Sequence, residues 1–297
     1  MKGKRRGMER RGFLALAAKA AAAGWVLRGL TPGMAMAEDA RGGMTYGVQL
    51  FQVRRQAATD LPGALRAIHQ AGFAQVELNP VAYGHPPAEL RTMVEDAGLR
   101  VVSGHFDYAG MEGKLDYARE LGLRYFVCPM VPKEQWGSVG GFAKAAEVFN
   151  AVGKGAKDRG MEFVFHNHDY EFKPVDGTTG WAVLMKRTDP GLVKLELDCY
   201  WLAQAGQKPL EMLERHMDRT VLLHLKDRTA NAPTSFDMET TSAHFTELGK
   251  GTIDWPAILK QGKVQGIAYA FLDQDETAGP VVESMKVSRA YLRSVRL

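Results

Sequence analysis

Short apolar segments alternate with amphipathic segments from about residue 44 to the end of the chain. The apolar segments have the length of β-strands, and their lack of polar alternation is typical of strands buried on both faces. Eight strands are predicted, at residues 44–51, 74–78, 99–102, 125–128, 163 onward, 193–198, 220–224 and 267–272.

The amphipathic segments place apolar residues three or four positions apart, which predicts helices that pack one face against a core. These helices are predicted at residues 61–70, 87–97, 111–121, 142–159, 179–186, 202–217, 255–260 and 281–292. Eight strands alternating with eight helices over about 250 residues predict a single α/β domain, a (β/α)8 TIM barrel.

A doubly wound open sheet is the alternative fold for such an alternation. However, no glycine-rich fingerprint follows the first strand, and polar residues end nearly every strand, which favours the closed barrel. The polar stretch at 230–249 is too long for an ordinary connection, and we expect it to form a loop over the site.

The N-terminal residues have the pattern of an export signal. Arg10-Arg11-Gly12-Phe13-Leu14 has the form of a twin-arginine core, an alanine-rich apolar run follows, and Ala35-Met36-Ala37 offers a cleavage site. The apolar run contains Lys19 and Arg28 and is short for a membrane anchor. We therefore expect a twin-arginine signal peptide at 1–37 and one barrel domain at 38–297. The product should be periplasmic or secreted, with no membrane association after cleavage.

The net charge is +4 at pH 7, but the first eleven residues hold six Lys or Arg and one Glu. The mature chain is therefore expected to be nearly neutral, which argues against a nucleic-acid partner. Cys128 and Cys199 both end predicted strands, so a disulfide is geometrically feasible. Two buried free thiols are favoured, since export after folding removes the need for a crosslink. A homo-oligomer is compatible with the sequence.

Polar side chains stand at the carboxyl ends of the last four predicted strands. The fifth strand runs into His166-Asn167-His168-Asp169, and the next three end at Asp and His residues. Because the carboxyl ends of barrel strands meet at one face, we expect a divalent metal there, held by His166, Asp198, His224 and Asp273. Two imidazoles and two carboxylates suit Mn2+, Zn2+, Co2+ or Fe2+ better than Mg2+ or Ca2+.

The region from residue 44 to the end resembles the sugar phosphate isomerase/epimerase superfamily, the xylose-isomerase-like barrels. Five segments carry the resemblance: GFAQVEL (72–78), FHNHDYEF (165–172), LDCYW (197–201), HLKD (224–227) and LGKGTIDW (248–255). The resemblance implies a metal held by a carboxylate on strand five, Asp on six, His on seven and a carboxylate on eight. Asp198 and His224 match this set.

Strands five and eight depart from the family pattern, in which two Glu carboxylates also exchange substrate protons. Here the corresponding residues are His166 and the shorter Asp273. A histidine bound to metal cannot also act as a free base, although a free imidazole can. Either His166 is the ligand and His168 faces the substrate, or the roles are exchanged, or neither binds metal. The first assignment is favoured.

Three catalytic residues follow from this assignment: His168, Asp273 and Lys226. Lys226 would neutralise an enolate oxygen on a keto sugar, or would instead form a salt bridge with Asp227 or Glu196.

Substrate contacts are predicted for Glu77, His105, Trp201 and Glu171. Each of these residues has a structural alternative. Glu77 would pair with a neighbouring strand, His105 would make a strand-end hydrogen bond, Trp201 would pack on the barrel, and Glu171 would be a solvated loop carboxylate.

These features predict a metal-dependent enzyme of the sugar isomerase/epimerase type, acting on a small non-phosphorylated keto carbohydrate through a metal-stabilised enediolate. Basic residues that would bind a phosphate do not cluster at the strand ends. A lyase or dehydratase that cleaves 3-keto-glycosides by β-elimination is the first alternative, since elimination needs only one base. A non-catalytic carbohydrate-binding barrel is the second. An endonuclease-like barrel is disfavoured by the charge and the export signal.

Overall fold

The computed structural model describes residues 43–79, 83–238 and 244–296, and its eight parallel strands close into a barrel. The strands are β1 Thr45–Gln49, β2 Gln75–Leu78, β3 Arg100–His105, β4 Tyr125–Cys128, β5 Glu162–His166, β6 Val193–Asp198, β7 Thr220–Leu225 and β8 Tyr269–Leu272. Each strand pairs with the next, and β8 closes on β1. The predicted TIM barrel is confirmed. The predicted signal peptide lies outside the described residues.

Helices cover the outside of the barrel between successive strands. They are α1 Leu61–Gln70, α2 Pro87–Asp96, α3 Leu115–Leu121, α4 Val139–Lys157, α5 Gly180–Arg187, α6 Pro209–Arg215, α7 Trp255–Val264 and α8 Val281–Ser294. Several start at a capping side chain, as where Asp60 accepts a hydrogen bond from the Gly63 N–H at 2.8 Å. Among the described residues, no helix is long and apolar enough to cross a membrane.

Several predicted elements have other limits in the structure, such as the helix Trp255–Val264 in place of 255–260, and two differ more substantially. The helix predicted at 202–217 is divided into Cys199–Gln204 and α6, because Gly206 takes a φ of 74° and Pro209 starts the second helix. The fifth strand ends at His166, and its polar continuation forms a 3-10 turn at Tyr170–Phe172. That turn redirects His168 and Glu171 away from the line of the strand.

An apolar layer fills the barrel interior below the strand ends. It consists of Tyr125, Val127, Val164, Leu222 and Phe271, which form a cluster separate from the larger core between strands and helices. Gly47 is required beside this layer, since a Cβ there would lie 2.6 Å from Cδ1 of Phe271. Polar side chains therefore meet inside the barrel above this layer, towards the C-terminal ends of the strands.

The loop predicted at 230–249 is anchored to the barrel at both ends. Asp227–Arg228 and Phe245–Thr246 form a short antiparallel pair, and Phe245 packs against Tyr200 and Trp201. Residues 239–243 of this loop lie outside the described part. Cys128 and Cys199 are both buried free thiols, as the sequence favoured.

Candidate active site and metal centre

A cavity of about 360 Å3 opens at the C-terminal ends of the barrel strands. Five of the predicted site residues line it: His105, His166, His168, Trp201 and Asp273. The other five are buried beneath or beside it: Glu77, Glu171, Asp198, His224 and Lys226. The location agrees with the rule that barrel sites lie at the carboxyl ends of strands.

The four predicted metal ligands face one another at this end, and we call them the upper set. Asp198 and His224 are register partners on β6 and β7. Nδ1 of His224 lies 3.7 Å from Oδ2 of Asp198 and 3.1 Å from Oδ2 of Asp273. Nε2 of His166 lies 4.0 Å from the same Asp198 oxygen. Strand pairing thus brings side chains that are far apart in sequence to one point.

The upper set has the donors that a divalent metal needs. One ligand atom each from Asp198, His224 and Asp273 lie within 4.8 Å of one another. Oδ2 of Asp198 and Oδ1 of Asp273 are buried without a hydrogen-bond partner, although the Asp198 oxygen lies 3.1 Å from the Lys226 ammonium. Buried carboxylate oxygens without partners are costly. Imidazole and carboxylate donors together fit a transition metal or zinc.

Lys226 is buried among three carboxylates. Its Nζ lies 2.7 Å from Asp273 Oδ2, 3.1 Å from Asp198 Oδ2 and 3.1 Å from Asp275 Oδ2. Burial opposes the charge, but these carboxylates hold the pKa of Lys226 well above its ordinary value. The ammonium also lies 5.2 Å from the centre of the Trp201 ring. Its carboxylate partners are therefore not Asp227 or Glu196, which the sequence offered as alternatives.

A second group, which we call the lower set, lies inside the barrel beneath these residues: Glu77, His105 and Glu196. Nε2 of His105 is 3.1 Å from Oε2 of both Glu77 and Glu196. Glu77 also accepts hydrogen bonds from Gln49 Nε2 at 2.9 Å and from the Ser103 hydroxyl. Glu77 therefore pairs with neighbouring strands, which was its structural alternative.

The lower set has strongly shifted acidities. Burial alone would lower the pKa of His105, but Glu77 and Glu196 raise it to about 9. Burial would raise the pKa of Glu77, yet His105 and His224 lower it. Glu196 was not identified as a site residue from the sequence. Its position two residues before Asp198 on a strand was the available signal, since residues i and i+2 share a face.

His168 differs from the other two histidines that line the cavity, His105 and His166, in having no carboxylate partner. It lines the cavity, its Nδ1 has no hydrogen-bond partner, and its ring centre lies 5.3 Å from that of Trp201. Burial and the nearby Lys226 lower the pKa of His168 to about 3, so the imidazole is neutral. It is the one imidazole among the described cavity residues that is free of a carboxylate contact.

Glu171 supports this histidine from behind. Its Oε2 accepts a hydrogen bond from the His168 backbone N–H at 3.0 Å, and the side chain is fully buried. Burial raises the pKa of Glu171 to about 8. The alternative of a solvated loop carboxylate is therefore wrong. Its predicted contact with substrate stays a prediction, since it does not line the cavity.

Known proteins with similar sequences and structures agree with this architecture. The family model for the xylose isomerase-like TIM barrel matches residues 65–267. An inosose dehydratase from Clostridium beijerinckii is 28% identical over 214 residues, which cover 68% of this chain and 67% of that protein. Similar dehydratases from Clostridium botulinum and Bacillus anthracis are matched over 52% and 55% of their lengths.

Two solved structures add detail. A sugar phosphate isomerase/epimerase from Parabacteroides distasonis superposes with a TM-score of 0.70 at 26% identity, covering 85% of this chain and 96% of that one. The IOLI protein with a bound zinc atom superposes with a TM-score of 0.65 at 15% identity, covering 85% and 98%, which shows the fold alone. The chain belongs to the xylose isomerase-like TIM barrel family.

Proposed function

We propose that this protein is a divalent-metal-dependent dehydratase or lyase that removes a β-substituent from a non-phosphorylated keto carbohydrate. One observation carries the proposal. His168 has no carboxylate contact, whereas the other two histidines that line the cavity each contact one or more carboxylates. Elimination needs one base on the substrate, whereas epimerisation, which inverts a carbon, commonly uses two groups on opposite faces. The dehydratase names of several relatives support this choice.

The upper set would hold the metal. When bound there, a divalent metal supplies Lewis-acid polarisation of a carbonyl and its neighbouring hydroxyl. Its ligands would be His166, Asp198, His224 and Asp273, the residues predicted from the sequence. Zinc in the IOLI protein is consistent with a metal in this fold.

His168 would act as the base. Its neutral ring takes the proton from the carbon next to the substrate carbonyl, and the electron pair moves towards the carbonyl oxygen. Lys226, held in place by its carboxylates, offers positive charge to the oxygen on which negative charge develops. Burial and the Lys226 ammonium lower the pKa of His168. Negative charge that develops on the substrate oxygen next to this ammonium would offset part of that effect and make His168 a stronger base.

Loss of the leaving group completes the reaction. The C–O bond at the β-carbon breaks, a double bond forms between the α-carbon and the β-carbon, and the leaving oxygen takes up a proton. Asp275 lines the cavity beside Asp273, and burial raises its pKa to about 7, so its protonated form would donate this proton. The balanced products are an α,β-unsaturated ketone and an alcohol, or water in a dehydration. Trp201 offers an aromatic face to the sugar at the cavity wall.

The test is to incubate the metal-loaded protein with 3-keto-glycosides and free ketoses in D2O and follow the products by NMR. Elimination releases the aglycone or water and produces the unsaturated ketone. Deuterium incorporation without loss of a substituent would favour the isomerase/epimerase, which the structural relatives support as the second candidate. Neither signal with any substrate, despite binding, would identify a carbohydrate-binding barrel.

We also propose export through the twin-arginine route, on the pattern at residues 10–14 and 35–37. Fractionation of cells producing the full chain tests it. Replacement of Arg10 and Arg11 by Lys should retain the protein in the cytoplasm at its uncleaved mass.

A further inference from the structure

The lower set is a buried polar group that takes no part in the proposed reaction. Glu77 and Glu196 are fully buried and do not line the cavity. Burying two carboxylates is expensive unless they are paired and hydrogen-bonded, so their retention calls for a physical role. Both lie directly below two residues of the upper set, His224 and His166.

We propose that Glu77 and Glu196, joined through His105, are positioning residues that fix the ring orientation and tautomer of the metal ligands His224 and His166. The inference rests on the proposed function in one respect only, namely that a metal binds to the upper set.

His224 connects the two sets through its two ring nitrogens. Nδ1 faces the upper set, 3.1 Å from Asp273, while Nε2 lies 2.6 Å from Oε2 of Glu77. A neutral imidazole has one N–H and one lone pair. A metal at the upper set would take the place of the proton that Nδ1 shares with Asp273, while the N–H on Nε2 stays donated to Glu77. Glu77 thus favours the tautomer of His224 that has its N–H on Nε2, which leaves Nδ1 available for a metal.

His166 connects the sets in the same way with its nitrogens exchanged. Nε2 faces Asp198 Oδ2 at 4.0 Å, and Nδ1 lies 3.2 Å from Oε2 of Glu196. The distance between Nδ1 and Glu196 is short enough for a hydrogen bond, but the ring is not aligned to form one, and Nδ1 has no hydrogen-bond partner. A rotation of the ring directs its N–H at Glu196 and its Nε2 lone pair at the upper set. In that orientation Nε2 of His166 would be free to hold a metal at the upper set.

His105 keeps the two carboxylates together. Its Nε2 lies 3.1 Å from an oxygen of each, so one N–H is shared between them. Gln49 on β1 and Ser103 on β3 hold Glu77 from either side. Carboxylates that accept the remaining ring N–H of a metal-ligating histidine orient the ring and increase its basicity. Their loss typically costs 10–100-fold in metal affinity.

The alternative arrangement has the metal lower in the barrel. One ligand atom from each of four residues also lies within 4.8 Å of the others there: His105, His166, Glu196 and His224. Access to the carboxylates separates the two arrangements, since His166 and His105 both line the cavity. Asp273 of the upper set lines it too, whereas Glu77 and Glu196 are sealed beneath it. A metal that acts on a substrate must be reachable from the cavity, which assigns the metal to the upper set and the carboxylates below to support.

The test measures the affinity for Mn2+ and Zn2+ by competition with a chelator, in the full wild-type protein and in three Glu→Gln variants. Glu77→Gln and Glu196→Gln keep the side-chain shape and should bind 10–100-fold more weakly. Glu162→Gln, at the opposite end of β5, is the control and should match the wild type. Unchanged affinity in both folded variants overturns the inference. A wild-type protein that binds no metal overturns the proposed function instead.

A crystal structure of the wild-type protein with Mn2+ or Zn2+, located by anomalous scattering, decides the point even where a variant does not fold. The expected metal lies about 2.0–2.2 Å from Nε2 of His166 and Nδ1 of His224. Glu77 and Glu196 should then contact the other nitrogen of each ring. A metal bound on the Glu196 side of the two histidines, or bound without either, overturns the inference.

Discussion

The ammonium of Lys226 lies 2.7 Å from Oδ2 of Asp273, so a fixed positive charge shares a carboxylate with the proposed metal. Asp198, a second proposed ligand, is 3.1 Å from the same ammonium. The lysine therefore has two opposing effects. It competes electrostatically with the metal for these carboxylates, and it provides positive charge next to the substrate carbonyl.

Replacement of Lys226 by Met separates these effects. The variant should bind Mn2+ or Zn2+ at least as tightly as the wild type, because a competing cation is gone. Its turnover should fall about 10²–10³-fold, the typical cost of removing one group that stabilises a developing oxyanion. Without metal it should be less stable by about 3–5 kcal/mol, since buried carboxylates lose their partner.

These effects are measured by chelator competition, by initial rates with the best substrate and by urea unfolding of the metal-free protein. Lys208→Met is a suitable control, because Lys208 is exposed and its ion-pair partner among the described residues is the nearby Glu211. Weaker metal binding together with unchanged turnover would show that Lys226 supports the metal site and does not act on substrate.

His224→Ala removes the imidazole that lies between the two carboxylates of the upper set. We expect metal binding and turnover to be lost together, because His224 is the histidine whose ligand atom lies within 4.8 Å of those of both Asp198 and Asp273. Elemental analysis of the purified variant measures the metal content per chain. A metal content equal to that of the wild type would exclude His224 as a ligand. His216→Ala, which changes a histidine on the outer helices, controls for metal bound elsewhere.

Asp227 has a structural role that its place in the HLKD segment does not reveal. Oδ1 accepts hydrogen bonds from the N–H groups of Arg228 and Ile253, and Oδ2 from those of Gly249 and Gly251, at 2.8–3.2 Å. A Cβ at Gly251 would lie 2.2 Å from Asp227 Oδ1. The carboxylate thus fixes the segment 249–253 next to β7, which explains why HLKD and LGKGTIDW occur together.

Asp227→Ala should lower the free energy of unfolding by about 3 kcal/mol or more, because several N–H groups lose a charged acceptor. Gly251→Ala should have a similar effect through steric overlap. Asp254→Ala is a milder substitution for comparison. It removes the N-cap of α7, and the loss of such a cap typically lowers the free energy of unfolding by about 1 kcal/mol. Urea unfolding curves measure all three. Equal effects of Asp227→Ala and Asp254→Ala would contradict the anchoring role.

The barrel was predictable from the sequence because its signals are local. Buried strands, amphipathic helices and glycine caps each occupy a few adjacent residues, and their strict alternation leaves few topologies. The positions of the upper set were also predictable. His166, Asp198 and Asp273 end or directly follow their strands, and His224 is one residue from the end of its strand. The carboxyl ends of parallel strands converge, so these side chains were expected to meet. The split of the 202–217 helix was missed because its amphipathic spacing continues across Gly206 and Pro209.

The lower set was not predictable in the same way. Glu196 lies within an apolar strand, and its role depends on a register shift between Leu195 and Glu196 that places it beside three imidazoles from other strands. The i, i+2 spacing with Asp198 places Glu196 on the same face of the strand but does not encode its contacts with these imidazoles. Likewise, Glu171 follows a strand by five residues, and only the 3-10 turn at Tyr170–Phe172 buries it under His168.

The burial of Glu171 predicts an unusual dependence of stability on pH. Burial raises its pKa to about 8, against a value near 4.5 in the unfolded chain. A carboxyl group whose pKa is raised by folding stabilises the protein below pH 4.5 and loses that contribution as the pH rises through 8. The free energy of unfolding should therefore fall across this interval as Glu171 is forced to ionise in the folded state. Glutamine resembles the protonated acid and should remove this component.

Glu171→Gln should accordingly be more stable than the wild type at pH 8.5, by at least about 1.4 kcal/mol, the equivalent of one pKa unit. At pH 4.5 the two proteins should be nearly equal. Urea unfolding at a series of pH values measures the difference, with Glu162→Gln, at the start of the preceding strand β5, as the control. A wild-type curve parallel to that of Glu171→Gln from pH 4.5 to 8.5 would mean that Glu171 is ionised throughout. Its Oε1, which has no hydrogen-bond partner, would then need a cation or a donor that a substrate supplies.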